Sequence, residues 1–159
     1  MSDNLNMEKA KEVFSTLIDM LDEKDWKYEV DEEKLLIHSN MNGDDFPITY
    51  IMLVDPKHEV VQFLSKLPCE MPEDKIVEGA LAVCGANYGL CEGSFDFNLS
   101  DGSIFFRLTS NYSDSMISKT SLEHIMFVAA FTVDRYNDRF FLLSKGTINL
   151  QQFMEMDNQ

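Results

Sequence analysis

Three histidines and three cysteines are the side chains in this sequence best suited to metal binding or nucleophilic chemistry. None of His38, His58 and His124 stands two to four residues from another His or Cys, which is the ligand spacing that short zinc motifs use. Glu123 and Ser121 lie close to His124, but near neighbours on a helix point in different directions and do not form a catalytic group by themselves. The sequence therefore predicts no catalytic residue and no metal ligand.

The cysteines are odd in number and irregularly spaced. Cys69, Cys84 and Cys91 are separated by 15 and 7 residues, which matches neither a disulfide framework nor paired zinc ligands. Unpaired thiols are typical of a reducing cytoplasm. We interpret all three as structural residues and expect Cys84 to be a small core residue on the apolar face of a helix.

The segment 96–107 partly resembles a calcium-binding EF-hand loop. Asp96, Asn98 and Ser100 place oxygen atoms at its positions 1, 3 and 5. The glycine, Gly102, comes one position late, and Arg107 stands where a bidentate glutamate is required. Asp and Asn residues also favour hairpin turns for local reasons. The pattern therefore indicates a turn, and no metal or other cofactor is predicted.

Charge and length restrict the function further. The 159 residues carry 13 basic and 28 acidic side chains, a formal net charge of -15. Such a field repels nucleic acid and anionic lipid, and the acidic segments indicate a solvated face. The longest apolar runs, such as residues 125–131, are far shorter than a membrane span, and no export signal is visible. We expect one cytoplasmic domain of residues 1–159, with no nucleic-acid or membrane partner.

The first half of the chain predicts a helix followed by four strands. Apolar residues recur every three or four positions over residues 7–23, and strands are expected at 27–30, 35–38, 46–54 and 59–67. The third strand is apolar on both faces, which predicts a central strand covered on both sides. Pro47 is expected at its start or at an edge, and Pro68 is expected to end the fourth strand.

The second half predicts a helix, a hairpin and a long helix. The expected apolar stripe of the second helix is Ile76, Val77, Ala80, Leu81, Cys84 and Tyr88. Gly89 is placed for a left-handed C-terminal residue. Asp101-Gly102 joins two alternating runs, which is a hairpin signal. Thr120 and Glu123 suggest a capping box for the long helix, which Gly146 ends. A short C-terminal helix or tail is expected within residues 147–159, so the fold class is α+β, in the order α-ββββ-α-ββ-α.

Two features stand out on these elements. Phe127, Val128 and Phe131 are apolar but lie off the buried stripe of the long helix. This helix is therefore either sandwiched inside the subunit or completed by a second subunit or another partner. Arg107 follows two phenylalanines in the last strand of an acidic chain, and it either faces solvent, forms a structural ion pair or contacts a partner.

The order of the predicted helices and strands, and the positions of the residues that end them, resemble those of the YbjN-like family of bacterial sensory transduction regulators. The resemblance is carried by Trp26-Lys27-Tyr28, Leu67-Pro68, Pro72, Asn87, Gly93-Ser94-Phe95-Asp96-Phe97, Asp101-Gly102-Ser103-Ile104-Phe105-Phe106-Arg107 and Val133-Asp134-Arg135-Tyr136. It implies a fold similar to that of type III secretion chaperones and a dimer. It implies no particular chemistry, because fold does not determine function.

These observations favour a non-enzymatic interaction module. The leading hypothesis is a homodimer that binds a segment of another protein, as a chaperone or as a regulator. The first alternative is an acidic inhibitor or immunity-type protein whose carboxylates cap a basic partner site. The second alternative is a sensor domain for a small molecule or a metal.

Overall fold

Six antiparallel strands form one sheet, and the helices pack on one of its faces. The computed structural model describes residues 2–156, with side chains described from Asn6 onward. The elements are α1 (Ser2–Glu23), β1 (Tyr28–Asp31), β2 (Leu36–Asn42), β3 (Pro47–Asp55), β4 (Val60–Glu70), α2 (Ile76–Tyr88), β5 (Ser94–Phe97), β6 (Ser103–Asn111), α3 (Lys119–Ser144) and α4 (Leu150–Glu155). The strand order in the sheet is β1-β2-β3-β4-β6-β5. The predicted α+β order is confirmed, and Pro47 does begin β3.

Within the described residues the helices cover only one face of the sheet, so the expectation that β3 is covered on both faces is wrong. Alternate residues of β3 are buried under the helices, whereas Ile51 and Leu53 on the other face are half-buried. Ile51 is registered with Leu64 on β4, and Leu53 with Leu36 on β2. Apolar side chains on neighbouring strands partly bury one another on the open face, without a second layer of helices. The apolar pattern of the sequence is the same in both cases, so it cannot distinguish them.

Pro68 does not end β4, contrary to the prediction. The strand continues to Glu70, and its register with β6 shifts between Lys66 and Glu70. Proline lacks the N–H group that a regular ladder uses, but an irregular step does not require that donor. Pro68 lies within this step, so the sheet accommodates it without losing the strand.

The N-cap of the helix α3 lies two residues before the predicted cap, Thr120. Ser118 is its N-cap and accepts the backbone N–H of Ser121, so Thr120 already lies in the first turn. Glu123 instead forms an ion pair with Lys24, at 2.6 Å. Serine and threonine are both good caps, and the loop from β6 decides which of them is used. Gly146 follows the helix with φ +70, as expected for a terminating glycine.

The helix α2 buries a different face from the predicted one. Its buried residues are Gly79, Ala82, Val83 and Ala86. Gly79 touches the sheet closely, because a Cβ atom there would lie 2.5 Å from Met71 Cγ and 3.0 Å from Phe97 Cζ. The small residues therefore face inward. Val77, Leu81 and Tyr88 of the predicted stripe face outward, whereas Ile76 packs against the core.

The C-terminal end of α2 is attached to the edge of the sheet. The Asn87 side chain donates to the carbonyl oxygen of Phe95 at 2.9 Å and accepts the N–H of Phe95 at 2.7 Å. It thereby satisfies backbone groups at the edge strand β5. Gly89 has φ -89, so the predicted left-handed residue at this end is wrong.

The chain closes with α4, which confirms the expected short helix. Asn149 and Gln152 form its capping box. The Phe153 ring is fully buried, with its centroid 4.8 Å from that of Phe140 on α3. Burial of this ring fixes the helix against the core. The rest of the predicted tail, residues 157–159, lies outside the described part of the chain.

Candidate interaction surfaces

The histidines lie on three separate parts of the fold. His58 Nδ1 lies 2.6 Å from Asp55 Oδ2 in the β3–β4 turn, and His124 Nε2 lies 3.0 Å from Glu92 Oε2. His38 is exposed on β2. Within residues 6–156, whose side chains the structure describes, no three His, Cys, Asp or Glu side chains are grouped so that they could hold a metal ion. The imidazoles therefore have local carboxylate or solvent neighbours and do not converge.

The cysteines lie in different environments. Cys69 is buried, and burial raises the pKa of its thiol to about 11, which keeps the thiol protonated at neutral pH. Cys84 and Cys91 are exposed. The expectation that Cys84 is a core residue is wrong, because the face of α2 that carries it points outward. No disulfide joins the three.

The loop that resembled an EF-hand is a closed turn. Asp101 Oδ1 accepts the backbone N–H of Ser103 at 2.9 Å, and hydrogen bonds from Ser103 lower the pKa of Asp101. Asn98 Oδ1 accepts the N–H of Ser100 at 3.0 Å, and Gly102 supplies a φ of +73. These side-chain oxygens are engaged with the turn itself, as in Asx turns.

Arg107 forms an ion pair across the last two strands. Its guanidinium nitrogen lies 2.9 Å from Asp96 Oδ2, and both side chains are more than two-fifths exposed. Exposed pairs of this kind contribute roughly 0 to 1 kcal/mol to stability. Arg107 therefore has a modest role at the β5–β6 edge.

The outer face of α3 carries an exposed apolar surface. Phe127 is 53% exposed and Phe131 is 70% exposed, and they lie one helical turn apart. Val128 between them is half-buried and packs against the core. We call Phe127, Val128 and Phe131 the α3 patch. The subunit does not enclose the two rings, so the helix is not sandwiched within the described chain.

Aromatic and charged neighbours border the α3 patch. The Trp26 ring meets Phe127 edge to face, with centroids 5.7 Å apart. Lys24 pairs with Glu123, and Lys119 pairs with Glu23, each at 2.6 Å. Protein interfaces commonly combine an apolar centre with a polar rim. The patch has this composition, and the ion pairs also hold α1 against the start of α3.

A second exposed apolar surface runs along α2, and the sequence interpretation assigned it to the core. Val77 is 74% exposed, Leu81 is 50% exposed and Tyr88 is 95% exposed. Cys84 is exposed between them. We call these four residues the α2 stripe. The signal that could have identified it is the row of small residues on the opposite face, because close helix packing against a sheet requires small side chains.

An open groove of about 860 Å³ separates α1 from the β1–β2 hairpin. Its walls include Met7, Ile18 and Val30, and Glu32 and Glu33 lie at its margin. Residues from an edge strand and a helix therefore form an open, partly apolar groove. Grooves of this type accept extended or helical peptide segments.

A tyrosine that lines the groove is hydrogen-bonded to α1. The Tyr28 hydroxyl donates to Asp22 Oδ1 at 2.7 Å. This hydrogen bond, together with burial and the negative charge of Asp22, raises the pKa of Tyr28 to about 12. The contact ties the hairpin to the solvent side of α1.

These surfaces belong to a chaperone-like α+β fold, and solved structures of this fold are known. The complex "Structure of the HopA1-SchA Chaperone-Effector Complex" contains a chain with TM-score 0.51 and 14% identity, covering 77% of this chain and 90% of that one. YbjN from E. coli aligns with TM-score 0.58 and 8% identity, covering 78% of this chain and 87% of YbjN. The chain thus has a YbjN-like fold, and the family resemblance is supported at the level of fold.

Sequence comparisons add no closer relative. No protein-family model matches the chain, and no curated protein matches it significantly. Among the described helices, none is long and apolar enough to cross a membrane.

Proposed function

We propose that this protein is a non-enzymatic interaction module that forms a homodimer and binds a polypeptide segment of a partner, as a chaperone or a regulator. The observation that carries the proposal is the α3 patch, where Phe127 and Phe131 are exposed on a chain of net charge -15. Large exposed aromatic side chains are typical of protein interfaces. The fold shared with a chain from a chaperone-effector complex supports the same function.

The three cysteines support a cytoplasmic location. They form no disulfide, and two of them are exposed. Exposed thiols persist in a reducing compartment. In the cytoplasm the net negative charge keeps the subunit soluble until its apolar surfaces are covered.

The groove beside α1 is a further surface that suits the proposed segment. It is open, partly apolar and lined in part by Glu32 and Glu33. A segment with apolar side chains and neighbouring Lys or Arg residues would complement it in both shape and charge. The groove is therefore a second surface for the segment, in addition to the α3 patch.

Site-specific crosslinking tests partner binding at the α3 patch. A photoreactive phenylalanine analogue replaces Phe131 in the source cell, and the same analogue at the exposed Asn40 on β2 is the matched control. We expect the Phe131 position to crosslink one polypeptide, and Phe127→Asp to abolish that crosslink. Equal crosslinking from both positions, or persistence in Phe127→Asp, contradicts the proposal.

Light scattering at micromolar concentration tests the homodimer. We expect the mass of two subunits. A monomer at every concentration would show that the homodimer does not form, whatever the crosslinking result.

A second candidate function is that of an acidic protein that caps a basic site on its partner. It is favoured by the exposed carboxylates of the β1–β2 turn, including Glu32 and Glu33. Association through such charges weakens steeply as salt is added. If the affinity for the partner is the same at low and high ionic strength, this function is contradicted. Binding through the exposed apolar side chains then remains.

A further inference from the structure

Two aspartates continue the α3 patch along the outer face of its helix. Phe127, Phe131, Asp134 and Asp138 follow one another at intervals of four, three and four, which places their side chains in one row on the helix surface. Asp134 and Asp138 are half-buried. We call these four residues the outer row of α3. It has an apolar half and an acidic half, and its ends are about 16 Å apart along the helix axis.

The loop between β2 and β3 adds two carboxylates to the acidic half of the row. The backbone N–H of Asp44 donates to Asp134 Oδ1 at 2.9 Å. Burial raises the pKa of Asp138, and the charge of Asp45 raises it further, although the N–H group and the charge of Arg139 act in the opposite direction. Asp44, Asp45, Asp134 and Asp138 therefore lie close together, and we call them the acidic cluster.

The arginines of α3 lie along a different flank of the helix. The guanidinium carbons of Arg135 and Arg139 lie 5.7 and 5.1 Å from the centroid of the buried Tyr136 ring. Arg135 also lines the groove that α3 forms with α2 and α4. A partner on the outer row would therefore meet aromatic rings and then carboxylates. A segment with apolar side chains and a neighbouring Lys or Arg complements both.

The outer row is the face of a helix, which favours a helical occupant. The backbone N–H and C=O groups of α3 are hydrogen-bonded within the helix and offer no partners to an extended chain. A strand on this surface would lose water from its backbone groups without replacing it, whereas a helix satisfies its own. A helix also presents the same face again after seven residues, about 10 Å, which is the separation of Phe131 from Asp138 along α3.

We infer that the partner segment is a basic amphipathic helix that lies along α3, with apolar side chains on the α3 patch and a lysine or arginine at the acidic cluster. The inference rests on the proposed function, because it names the chemistry of the segment that the α3 patch binds. A second copy of this chain complements the surface less well, since it would add its own acidic cluster and a further net charge of -15.

Titration with a model peptide tests the chemistry of the occupant. The probe contains only leucine and lysine, has its leucines on one face of a helix, and is about 14 residues long, enough to span the outer row. Its control has the same composition in a scrambled order with no apolar face. Trp26, the only tryptophan in the sequence, lies beside Phe127 and reports binding at the patch through its fluorescence.

We expect the amphipathic peptide to change the Trp26 fluorescence and the scrambled peptide to leave it unchanged. Equal responses to both peptides, or no response to either, would overturn the inference. This comparison uses the unmodified chain, so it does not depend on whether any variant folds.

Two charge-matched variants test the position of the basic residue. Asp134→Asn with Asp138→Asn removes two charges from the acidic cluster and keeps side-chain oxygens that can accept the same N–H groups. Glu8→Gln with Glu12→Gln removes two exposed charges from α1. Glu12 is about 16 Å along α1 from Glu23, at the end of the helix that lies against α3, so its charge is screened from the acidic cluster.

Calorimetry at about 0.15 M salt compares the affinities of the two variants for the amphipathic peptide. We expect the cluster variant to bind about tenfold more weakly and the α1 variant to change by less than about twofold. Equal weakening of both would mean that the peptide binds through net charge alone. An unchanged affinity of the cluster variant would place the lysines elsewhere. Either result overturns the inference.

Crosslinking at Phe131 in the source cell separates failure of this inference from failure of the proposed function. A crosslink that survives Asp134→Asn with Asp138→Asn keeps partner binding and overturns only the basic helix. No crosslink at Phe131 overturns partner binding at the patch itself. A particle of two subunits that Phe127→Asp halves would assign the patch to a second copy, which also overturns the inference.

Discussion

The predicted apolar stripes of the helices α1 and α2 have opposite environments in the structure. The stripe expected on α1 is buried, and its members Ala10, Val13, Leu17 and Leu21 have no exposed surface. The stripe expected on α2 is exposed, whereas Gly79, Ala82 and Ala86 face the protein. The difference shows that apolar periodicity identifies a face of a helix but does not say what covers it. A face covered by another molecule has the same pattern as a face covered by the core.

The largest expected difference in stability is between truncation of a core leucine on α1 and truncation of an exposed leucine on α2. Leu17→Ala on α1 leaves a cavity in a fully buried region, and we expect it to lower the free energy of unfolding by about 2 to 5 kcal/mol. Leu81→Ala on α2 should change it by less than about 0.5 kcal/mol in the isolated subunit, because that side chain is 50% exposed. Urea unfolding, at a concentration where the protein is monomeric, measures both.

Equal losses for Leu17→Ala and Leu81→Ala would break the comparison between the two helices. They would mean that the α2 stripe is covered within the subunit.

A glycine pair within α2 tests which face approaches the sheet. Alanine at Gly79 would meet Met71 Cγ at 2.5 Å and the Phe97 ring at 3.0 Å, so we expect a loss of about 1 to 3 kcal/mol by overpacking, despite the better helix propensity of alanine. The Cβ atom of an alanine at Gly85 would meet the terminal Sδ and Cε atoms of Met154. That flexible end can move aside, so Gly85→Ala should be nearly neutral.

Thermal unfolding of the two glycine variants distinguishes the faces. The opposite result, a neutral Gly79→Ala and a strongly destabilising Gly85→Ala, would contradict the assignment. It would mean that the Gly85 side of α2, and not the Gly79 side, is closely packed.

The smallest expected effect on stability is that of the hydrogen bond between Tyr28 and Asp22 on the solvent side of α1. Tyr28→Phe removes the hydrogen bond to Asp22, and we expect a loss of about 0.5 to 1.5 kcal/mol at neutral pH. The pKa of Tyr28 is raised to about 12 in the folded chain, above its ordinary value of 10.0. The protonated hydroxyl therefore stabilises the fold below pH 10, and this stability is lost as the pH rises through 12.

Ultraviolet titration of tyrosinate measures this shift. Burial and the charges of Glu59 and Asp55 also raise the pKa of Tyr112 to about 12, so Tyr28→Phe should lower by one the number of tyrosines that ionise above pH 11. An unchanged high-pH transition in the variant contradicts the assignment.

Much of the fold could be predicted from local signals. The turn at Asp101-Gly102, the start of β3 at Pro47 and the end of α3 at Gly146 all depend on backbone preferences of single residues. The cap of α3 was mistaken because two suitable hydroxyl residues, Ser118 and Thr120, lie close together. The capping preferences of serine and threonine are similar, so they do not select one of the two residues. The path of the preceding loop determines which residue caps the helix.

The candidate surfaces were predictable only in part. The excess of apolar residues on α3 was visible in the sequence, and Phe127 and Phe131 are exposed in the structure. The α2 stripe was assigned to the core, because a helix apolar on nearly all sides has no polar face to mark its outside. Residues distant in sequence, Met71 and Phe97, determine which side of α2 packs inward.

The sequence alone determined the order of helices and strands, the acidic charge and the absence of short-range catalytic spacings, because these depend on single residues and their near neighbours. The tertiary structure decided that the sheet has one open face and that α2 turns its larger apolar residues outward. The physical reason is packing. Burial depends on the close fit of side chains from distant segments, and hydrophobicity along the chain does not contain that fit.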